Sequence, residues 1–405
     1  MAIYLDHNAT TPLRREVWEA MAAVEFGTEP RGNASSVHRI GVATRQHTVR
    51  AREAVAAALG ASPGEIVFTG GGSEAINLAL KGAYWGGGRS DAHLVSTTVE
   101  HHAVHHALEW LARRGARVAL CPVDTTGRVD PQAVAEAITA ETLLVSVMLV
   151  NNEVGTIQPV AEIGAICRER GVLLHVDGVQ GVGKLPVQVD ELQCDLLTLS
   201  AHKIEGPQGV GALYVRQGTK LEPLVHGGPQ EGKLRAGTEN VAGMVGLAEA
   251  VRLAEAEREG NVARWRDLRE VLYRLPHELD AVRVNSHPDL TLPNCVNMTF
   301  MFCDGMALTM NLSLRGVCVS TGSACTAGDL TPSHVLKAMG LSDKAAHGAI
   351  RFSMGRETTA ADVQTAVAVT KDVVESLRLV TRPEDIGKCK DDCPCFLTGA
   401  GQAAT

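Results

Sequence analysis

Between residues 65 and 216, short β-branched runs alternate regularly with helical patterns. Such an alternation is typical of parallel strands joined by crossover helices. The predicted strands lie at residues 66–69, 93–97, 117–123, 143–150, 173–177, 196–199 and 211–215. The block therefore predicts the α/β class, with a mainly parallel sheet in a large domain.

Helical patterns on either side of this block indicate how the rest of the chain is organised. Amphipathic patterns span residues 41–59 and 241–259, and we interpret the second as a connecting helix. Mixed strand and helix patterns after Pro276 predict a smaller α+β domain with a Gly/Ser/Thr-rich loop at residues 320–328. We expect four regions: an N-terminal segment that packs with the small domain at 1–14, the large domain at 15–258, the small domain at 259–381 and a cysteine-containing tail at 382–405.

Composition and charge exclude several classes of function. Apolar residues make up 45% of the chain and charged residues 21%, which is typical of a folded protein rather than a disordered one. The net charge of −8 argues against nucleic acid as the main partner. The longest apolar run, residues 143–150, is far shorter than the ~20 residues of a membrane-spanning helix, and no leader peptide is evident. Ten scattered cysteines favour a reducing compartment, so we expect a cytoplasmic protein.

A glycine-rich turn follows the first predicted strand. Gly70-Gly71-Gly72-Ser73 precedes a helical pattern at residues 75–84. Glycine lets the backbone approach an anion closely, and the N-terminal N–H groups of a helix favour phosphate. The same residues also fit an ordinary strand-to-helix turn, and this motif alone leaves both interpretations open.

Polar residues follow four other predicted strands at their carboxyl ends, where parallel sheets bind ligands. These residues lie in Glu100-His101, Asn151-Asn152-Glu153, Asp177-Gly178-Val179-Gln180 and Ser200-Ala201-His202-Lys203. Each motif alone could be a helix cap or a surface group. Together they place a carboxylate, a lysine and a phosphate-binding turn at one sheet edge. That combination suits pyridoxal phosphate, which needs a Schiff-base lysine, a partner for its pyridinium nitrogen and a phosphate site.

With these motifs the chain resembles the cysteine desulfurases of aminotransferase class V, in the branch that supplies sulfur to iron–sulfur cluster assembly. The resemblance spans residues 5–359 and rests mainly on His175-Val-Asp-Gly-Val-Gln180, Ser200-Ala-His-Lys203, residues 227–240 and Ser323-Ala-Cys325. It implies the aspartate aminotransferase-like fold of pyridoxal-phosphate-dependent transferases. It also implies a homodimer and L-cysteine as the substrate.

The resemblance assigns cofactor roles residue by residue. Lys203 becomes the catalytic Schiff-base lysine, which also moves protons at the substrate α-carbon. Asp177 holds the pyridine nitrogen protonated, because a carboxylate near a cation favours the charged form. Gln180 bonds the ring hydroxyl, and His101 is catalytic and stacks on the ring. The remaining cofactor-binding residues implied are Asn152 and, around the phosphate, Gly72, Ser73, Ser200, His202 and the neighbouring subunit's Thr238.

The resemblance also implies how the substrate is bound and attacked. Asn152 and Arg351 bind its carboxylate, since the planar guanidinium meets a carboxylate with two parallel bonds. Two alternatives stay open: Arg351 could be a surface residue on a strand, and Arg356 could take its role. Cys325 is the implied nucleophile, which becomes a persulfide while alanine is released. The sulfur then passes to an acceptor such as an iron–sulfur scaffold, or to thio-cofactor or tRNA modification.

Two further motifs have alternative interpretations. The spacing of His101-His102-Ala-Val-His105-His106 can bind zinc on one helix face, but no third ligand lies nearby in sequence, and we expect no metal site. The tail contains three cysteines that depart from the family pattern: Cys389, Cys393 and Cys395. They could bind a metal, dock a cluster or accept sulfur, or they could belong to a disordered tail.

The alternative functions follow from these features. A selenocysteine lyase would use the same cofactor apparatus. A metal or cluster carrier would act through the cysteine tail and would need no cofactor. Glu205 and Gln208 stand where the family pattern has an aromatic residue and a lysine, a departure that touches no catalytic group.

Overall fold

The computed structural model describes residues 2–27, 31–88, 91–321, 331–381 and 394–397. Its strands are β1 (Ile3–Tyr4), β2 (Ile66–Thr69), β3 (His93–Thr97), β4 (Arg117–Cys121), β5 (Thr142–Met148), β6 (Leu173–Asp177), β7 (Leu196–Ser200), β8 (Gly211–Val215), β9 (Val282–Val284), β10 (Cys295–Phe300), β11 (Val317–Cys318) and β12 (Ala349–Ser353). Its α-helices are α1 (Arg15–Phe26), α2 (Arg39–Leu59), α3 (Gly72–Gly86), α4 (His102–Ala112), α5 (Pro131–Ala137), α6 (Val160–Arg170), α7 (Val241–Leu272), α8 (Leu275–Glu278), α9 (Gly305–Leu314), α10 (His334–Ala338), α11 (Asp343–His347) and α12 (Ala360–Thr381).

The central sheet has seven strands in the order β2-β8-β7-β6-β5-β3-β4. The neighbouring pairs β6–β7, β5–β6, β3–β5 and β3–β4 are all parallel, which confirms the predicted α/β class with a mainly parallel sheet. β8 is the departure, because it runs antiparallel to both β2 and β7. Residues 201–210 connect β7 to β8, and a connection this short cannot contain the crossover helix that a parallel neighbour requires.

The central sheet is covered on both faces, and this explains its continuous apolar runs. Every residue of β2, β3, β7 and β8 is buried. In β2, Phe68 packs in a cluster with residues of α2 and α7, whereas its neighbour Val67 packs with residues of α3 and α4 on the opposite face. A strand buried on both faces has no polar side, so its sequence lacks the alternation of a half-exposed strand.

A second, smaller core surrounds the antiparallel sheet β12-β10-β9. Apolar side chains of β10, β12, α9, α12 and the C-terminal half of α7 form this core. The N-terminal segment joins it, because β1 pairs in parallel with β11 and Leu5 is fully buried there. The helix α7 spans 32 residues and contributes Leu247 to the first core and Trp265 to the second. The predicted domain boundaries stay predictions, and the one between residues 258 and 259 falls inside this helix.

Part of the C-terminal region packs against the small core. A short helix, Pro394–Phe396, places the fully buried Phe396 ring beside Leu336 and Leu341. The Ser342 N–H donates to the Phe396 carbonyl oxygen (2.8 Å), and the Ser342 hydroxyl donates to that of Cys395 (2.9 Å). A single aromatic residue in a segment without periodicity does not predict this contact.

Among the described helices, none combines the length and apolar character that crossing a bilayer requires.

Candidate active site

A cleft at the carboxyl ends of the central strands brings most of the predicted site together. It encloses about 1020 Å³, a volume that includes its open mouth. Parallel strands end at one edge of a sheet, so residues far apart in sequence meet there. The predicted residues that line the cleft are Gly72, Ser73, His101, Asn152, Asp177, Gln180, Ser200, His202, Lys203 and Arg351.

Lys203 lies on a single helical turn, Ala201–Lys203, directly after β7. Its Nζ donates to the carbonyl oxygens of Asn8 (2.6 Å) and Ala9 (2.7 Å). The same N-terminal segment holds the turn from its other side, because the Thr11 N–H and hydroxyl both donate to the His202 carbonyl oxygen (2.9 and 2.8 Å). The backbone of the N-terminal segment therefore fixes where the lysine amine lies in the cleft.

Asp177 ends β6 and is buried. The Val179 N–H donates to its Oδ1 at 3.0 Å. Burial raises the pKa of this carboxyl to about 6, and the Val179 hydrogen bond and the Lys203 charge oppose that rise. A buried carboxyl of this kind gains most from a cationic group placed directly against it.

His101 and His202 are held as neutral rings. Burial, and then the charge of Lys203, lowers the pKa of each imidazole to about 4. The His101 Nδ1 accepts from the Ala103 N–H (3.1 Å) and caps α4, so the proton of its neutral ring resides on Nε2. The His202 Nδ1 lies 3.1 Å from the Thr10 hydroxyl. A neutral imidazole can stack on an aromatic ligand without adding charge to it.

The glycine-rich turn provides a place for an anion. Gly71 has φ 138°, a conformation that side chains oppose, and it caps the 15-residue helix α3. Gly72 and Ser73 are the first residues of that helix, where backbone N–H groups have no partner within the helix. A Cβ on Gly72 would lie only 3.1 Å from Val179 and 3.4 Å from Ser200. The turn therefore brings bare backbone against the cleft.

The structure distinguishes the two candidate arginines. Arg351 lies in the middle of β12 and is 2% exposed, so it is not a surface residue. Its guanidinium donates to Asp6 Oδ1 (2.7 Å) and to the Asn152 carbonyl oxygen (2.9 Å), and its Nε is buried without a hydrogen-bond partner. Arg356 instead lines a separate cavity behind Lys203, where its Nε donates to Glu205 (3.0 Å).

Two predicted residues are not placed in the cleft. Thr238 is exposed on the loop that precedes α7 and is not among the residues that line the cleft. Cys325 lies outside the described residues, between Thr321 and Thr331. The tail residues Cys389 and Cys393 also lie outside them. The roles assigned to these residues stay predictions.

The structure adds residues that sequence reasoning did not assign to the site. Asn8 had no predicted role, although its carbonyl oxygen accepts from Lys203. Glu153 is buried and accepts from the Ser333 hydroxyl (2.5 Å), and His334 donates through Nε2 to the Glu100 carbonyl oxygen (2.9 Å). Both Glu153 and His334 line the cleft. Of Asn8, Glu153 and His334, only Glu153 lies in one of the polar motifs identified at the strand ends, the run after β5.

The histidine run on α4 forms a cluster at the mouth of the cleft. The ring centroids of His102 and His106 lie 5.4 Å apart, and that of His334 lies 4.7 Å from His102. Within the described parts of the chain, no group of three or more His, Cys, Asp or Glu side chains is arranged to hold a metal ion.

Comparison with known proteins shows the family. The family model for aminotransferase class V matches residues 3–365. The chain is 44% identical to the cysteine desulfurase IscS of Dictyoglomus turgidum, over 94% of this chain and 96% of that protein. The chain belongs to the cysteine desulfurases of aminotransferase class V. This confirms the family that the motifs indicated.

Solved structures of similar proteins share the fold. A NifS-like protein superposes with a TM-score of 0.86 at 36% identity, covering 94% of this chain and all of the other. SspA in complex with cysteine superposes with a TM-score of 0.78 at 36% identity, covering 87% and 98%. Class V enzymes depend on pyridoxal phosphate, and the cleft fits that group. It combines the Lys203 amine, the buried Asp177 carboxyl, which a nearby cation would stabilise, and the N-terminus of α3, whose backbone N–H groups can bind an anion.

Proposed function

We propose that this chain is a pyridoxal-phosphate-dependent cysteine desulfurase that converts L-cysteine to L-alanine and keeps the sulfur as a persulfide on Cys325. The observation that carries the proposal is that Lys203 and Asp177 line one cleft, with the lysine amine held by two backbone carbonyl oxygens. A lysine amine and a buried carboxyl in one cleft match the two groups that a pyridoxal ring needs, one for its aldehyde carbon and one for its ring nitrogen.

The cofactor supplies an electron sink, and the residues of this chain hold and tune it. Lys203 attaches it covalently, and Asp177 keeps its ring nitrogen protonated. His101 covers one ring face, and Gln180 donates to the ring oxygen. The proposed phosphate site consists of Gly72, Ser73, Ser200, His202 and the partner subunit's Thr238, and Asn152 contacts the ring.

The remaining steps concern the substrate. Arg351 and Asn152 hold its carboxylate, and Lys203 moves a proton at its α-carbon. The Cys325 thiolate then attacks the substrate sulfur, so that a sulfur–sulfur bond forms as the carbon–sulfur bond breaks. The bonding electrons return to the carbon skeleton, which takes up a proton and leaves as alanine.

Exposed apolar groups support the proposal of a homodimer. Trp18 is 56% exposed and Phe26 is 86% exposed, both on α1, and Val37 is 91% exposed in the segment before α2. Burying exposed apolar side chains of this size at an interface is favourable. We also propose a reducing cytoplasmic setting and a sulfur-acceptor protein such as an iron–sulfur scaffold, because a persulfide on Cys325 needs both.

Replacing Arg351 with lysine is expected to raise the KM for L-cysteine by about 10- to 100-fold, with a smaller effect on kcat. Lysine keeps a charge but loses the planar fork that binds a carboxylate with two bonds. Steady-state kinetics of alanine formation measures the change. The matched control is Arg356→Lys in the separate cavity, for which we expect less than about a threefold change. A large rise in KM for Arg356→Lys alone would assign the carboxylate to the other arginine.

The Cys325→Ser variant tests the proposed function against its alternatives. We expect it to keep the yellow cofactor chromophore but to lose sulfide release from cysteine by about 10³-fold or more, because serine is a far weaker nucleophile toward sulfur. In the wild type, sulfur from radiolabelled cysteine should appear on the peptide that contains Cys325. The control is Cys395→Ser in the tail, which should keep turnover.

The alternatives predict different results in the same assays. Selenide release from selenocysteine that survives in Cys325→Ser, with sulfide release lost, would favour the selenocysteine lyase. A carrier that acts through the cysteine tail would show no yellow chromophore that borohydride traps on Lys203.

A further inference from the structure

Lys184 is a buried lysine that none of the roles above uses. It lies four residues after Gln180 in the turn that follows β6, and its residue is 5% exposed. Its Nζ donates to the side-chain Oε1 of Gln180 at 2.9 Å. Lys184 and Lys203 both line a second cavity, and Gln180, the partner of Lys184, lines the active-site cleft.

The surroundings of Lys184 are unfavourable for a positive charge. Burial is the main cause that lowers the pKa of its amine to about 7, and the charges of Lys203 and Arg351 lower it further, while the Cys295 thiol opposes them. Burial is the main cause that lowers the pKa of His7, the charge of Lys184 lowers it further, and the hydrogen bond with the Ser353 carbonyl oxygen opposes them. An interior cation of this kind is stabilised by a negative group nearby, and the proposed cofactor carries one on its ring oxygen.

The hydrogen bond from Lys184 and the Asn8 carbonyl oxygen together fix how the Gln180 amide is oriented. An ammonium group only donates, so the carbonyl end of the amide must face Lys184. The Nε2 end then points the other way and donates to the Asn8 carbonyl oxygen at 2.9 Å. An amide nitrogen carries two hydrogens and the bond to Asn8 uses one of them, while Gln180 itself lines the cleft.

We propose that Lys184 is a positioning residue for the cofactor: it acts through Gln180, which it orients so that the amide presents an N–H donor to the ring oxygen of pyridoxal phosphate. This inference rests on the proposed function. The donor and the positive charge behind it both favour the deprotonated ring oxygen. The oxygen then holds the proton of the neighbouring Schiff base less tightly, so Lys184 lowers the pH at which the Schiff base loses that proton.

The test compares holoenzymes by titration of their visible absorbance against pH. Lys184→Met keeps the aliphatic stem and removes the ammonium group, so we expect the midpoint of the colour change to rise by about one pH unit. Lys184→Gln, also uncharged, should shift the midpoint in the same direction and provides a second variant should the methionine variant not fold. The exposed Lys220→Met is the control, with an unchanged midpoint. Binding of pyridoxal phosphate to the apoenzyme should weaken by about tenfold in Lys184→Met.

A double variant tests whether Lys184 acts through Gln180. Gln180→Leu alone should raise the midpoint, and adding Lys184→Met should raise it by less than the sum of the two single shifts. Fully additive shifts would overturn the action through Gln180. An unchanged midpoint in both Lys184 variants, with only a lower melting temperature, would overturn the positioning role. A wild type without a chromophore on Lys203 would instead overturn the proposed function.

Discussion

Replacing Lys203 with alanine is expected to abolish the chromophore that borohydride traps and to lower cysteine turnover by about 10⁴-fold or more. Two functions disappear together, because the same amine attaches the cofactor and moves the proton at the substrate α-carbon. The structure indicates that the fold survives, since the neighbouring turn is also held by Thr11 through two hydrogen bonds to the His202 carbonyl oxygen. Turnover is measured as alanine release, and attachment as mass added to the Lys203 peptide after reduction.

A chemical rescue separates a lost amine from a distorted site. The truncated side chain leaves space in the cleft, so a small primary amine such as methylamine should restore part of the turnover of Lys203→Ala. The exposed Lys220→Ala serves as the control and should keep wild-type turnover and labelling. Wild-type turnover in Lys203→Ala would contradict the assignment of the lysine.

Replacing Asp177 with asparagine is expected to lower turnover by about 10² to 10⁴-fold while the cofactor still binds. Asparagine has nearly the same shape but cannot hold the ring nitrogen protonated, so the ring withdraws electrons less strongly. Lys203 and the glycine-rich turn remain available for attachment and for the phosphate. Alanine release and the visible spectrum measure the two effects separately. Full turnover in Asp177→Asn would contradict the proposed role.

The pH dependence of stability provides an independent test of Asp177. Burial raises the pKa of its carboxyl from 3.8 to about 6, so the folded cofactor-free chain binds this proton more tightly than the unfolded chain. The resulting stability is present below pH 4 and is lost as the pH rises through 6. The Asp177→Asn variant does not lose stability in this way, because asparagine has no carboxyl group to ionise. Cofactor-free Asp177→Asn should therefore gain on the order of 3 kcal/mol over wild type between pH 4 and pH 7, as thermal unfolding would show.

Two controls define this stability effect. Asp190→Asn, at a carboxylate whose side chain is 78% exposed, should show little gain across the same range. Bound cofactor should reverse the sign for Asp177, because the charged carboxylate then has a cationic partner. A gain for Asp177→Asn that is the same at every pH would show that packing, and not ionisation, causes it.

The predicted strands show how much local sequence can determine. The predicted strands at residues 66–69, 93–97, 173–177 and 211–215 have the same bounds as β2, β3, β6 and β8. Buried strands read as unbroken apolar runs, and the glycine or polar turn that ends each one is visible from its neighbours alone. The end of a strand therefore also identifies the residues that reach the cleft, including Asp177 and Lys203.

Other features depend on residues distant in sequence. The direction of β8 follows from the length of the connection before it, and the burial of Phe396 depends on a pocket formed by residues 336–341. The amphipathic pattern predicted a helix only over residues 241–259, whereas α7 continues to Leu272 and crosses from one core to the other. A local pattern does not show that the partners of such a helix change along its length.

Motifs at strand ends are local, so the α/β class, the family and the residue types of a pyridoxal-phosphate site could be recognised from the sequence. The choice between two nearby arginines depends on the fold. Arg351 lines the cleft, where it donates to Asp6 and Asn152, and these partners lie far from it in the chain. The position of Lys184 behind Gln180 was likewise decided by the fold, since burial and the charges of distant residues arise only when the chain closes around them.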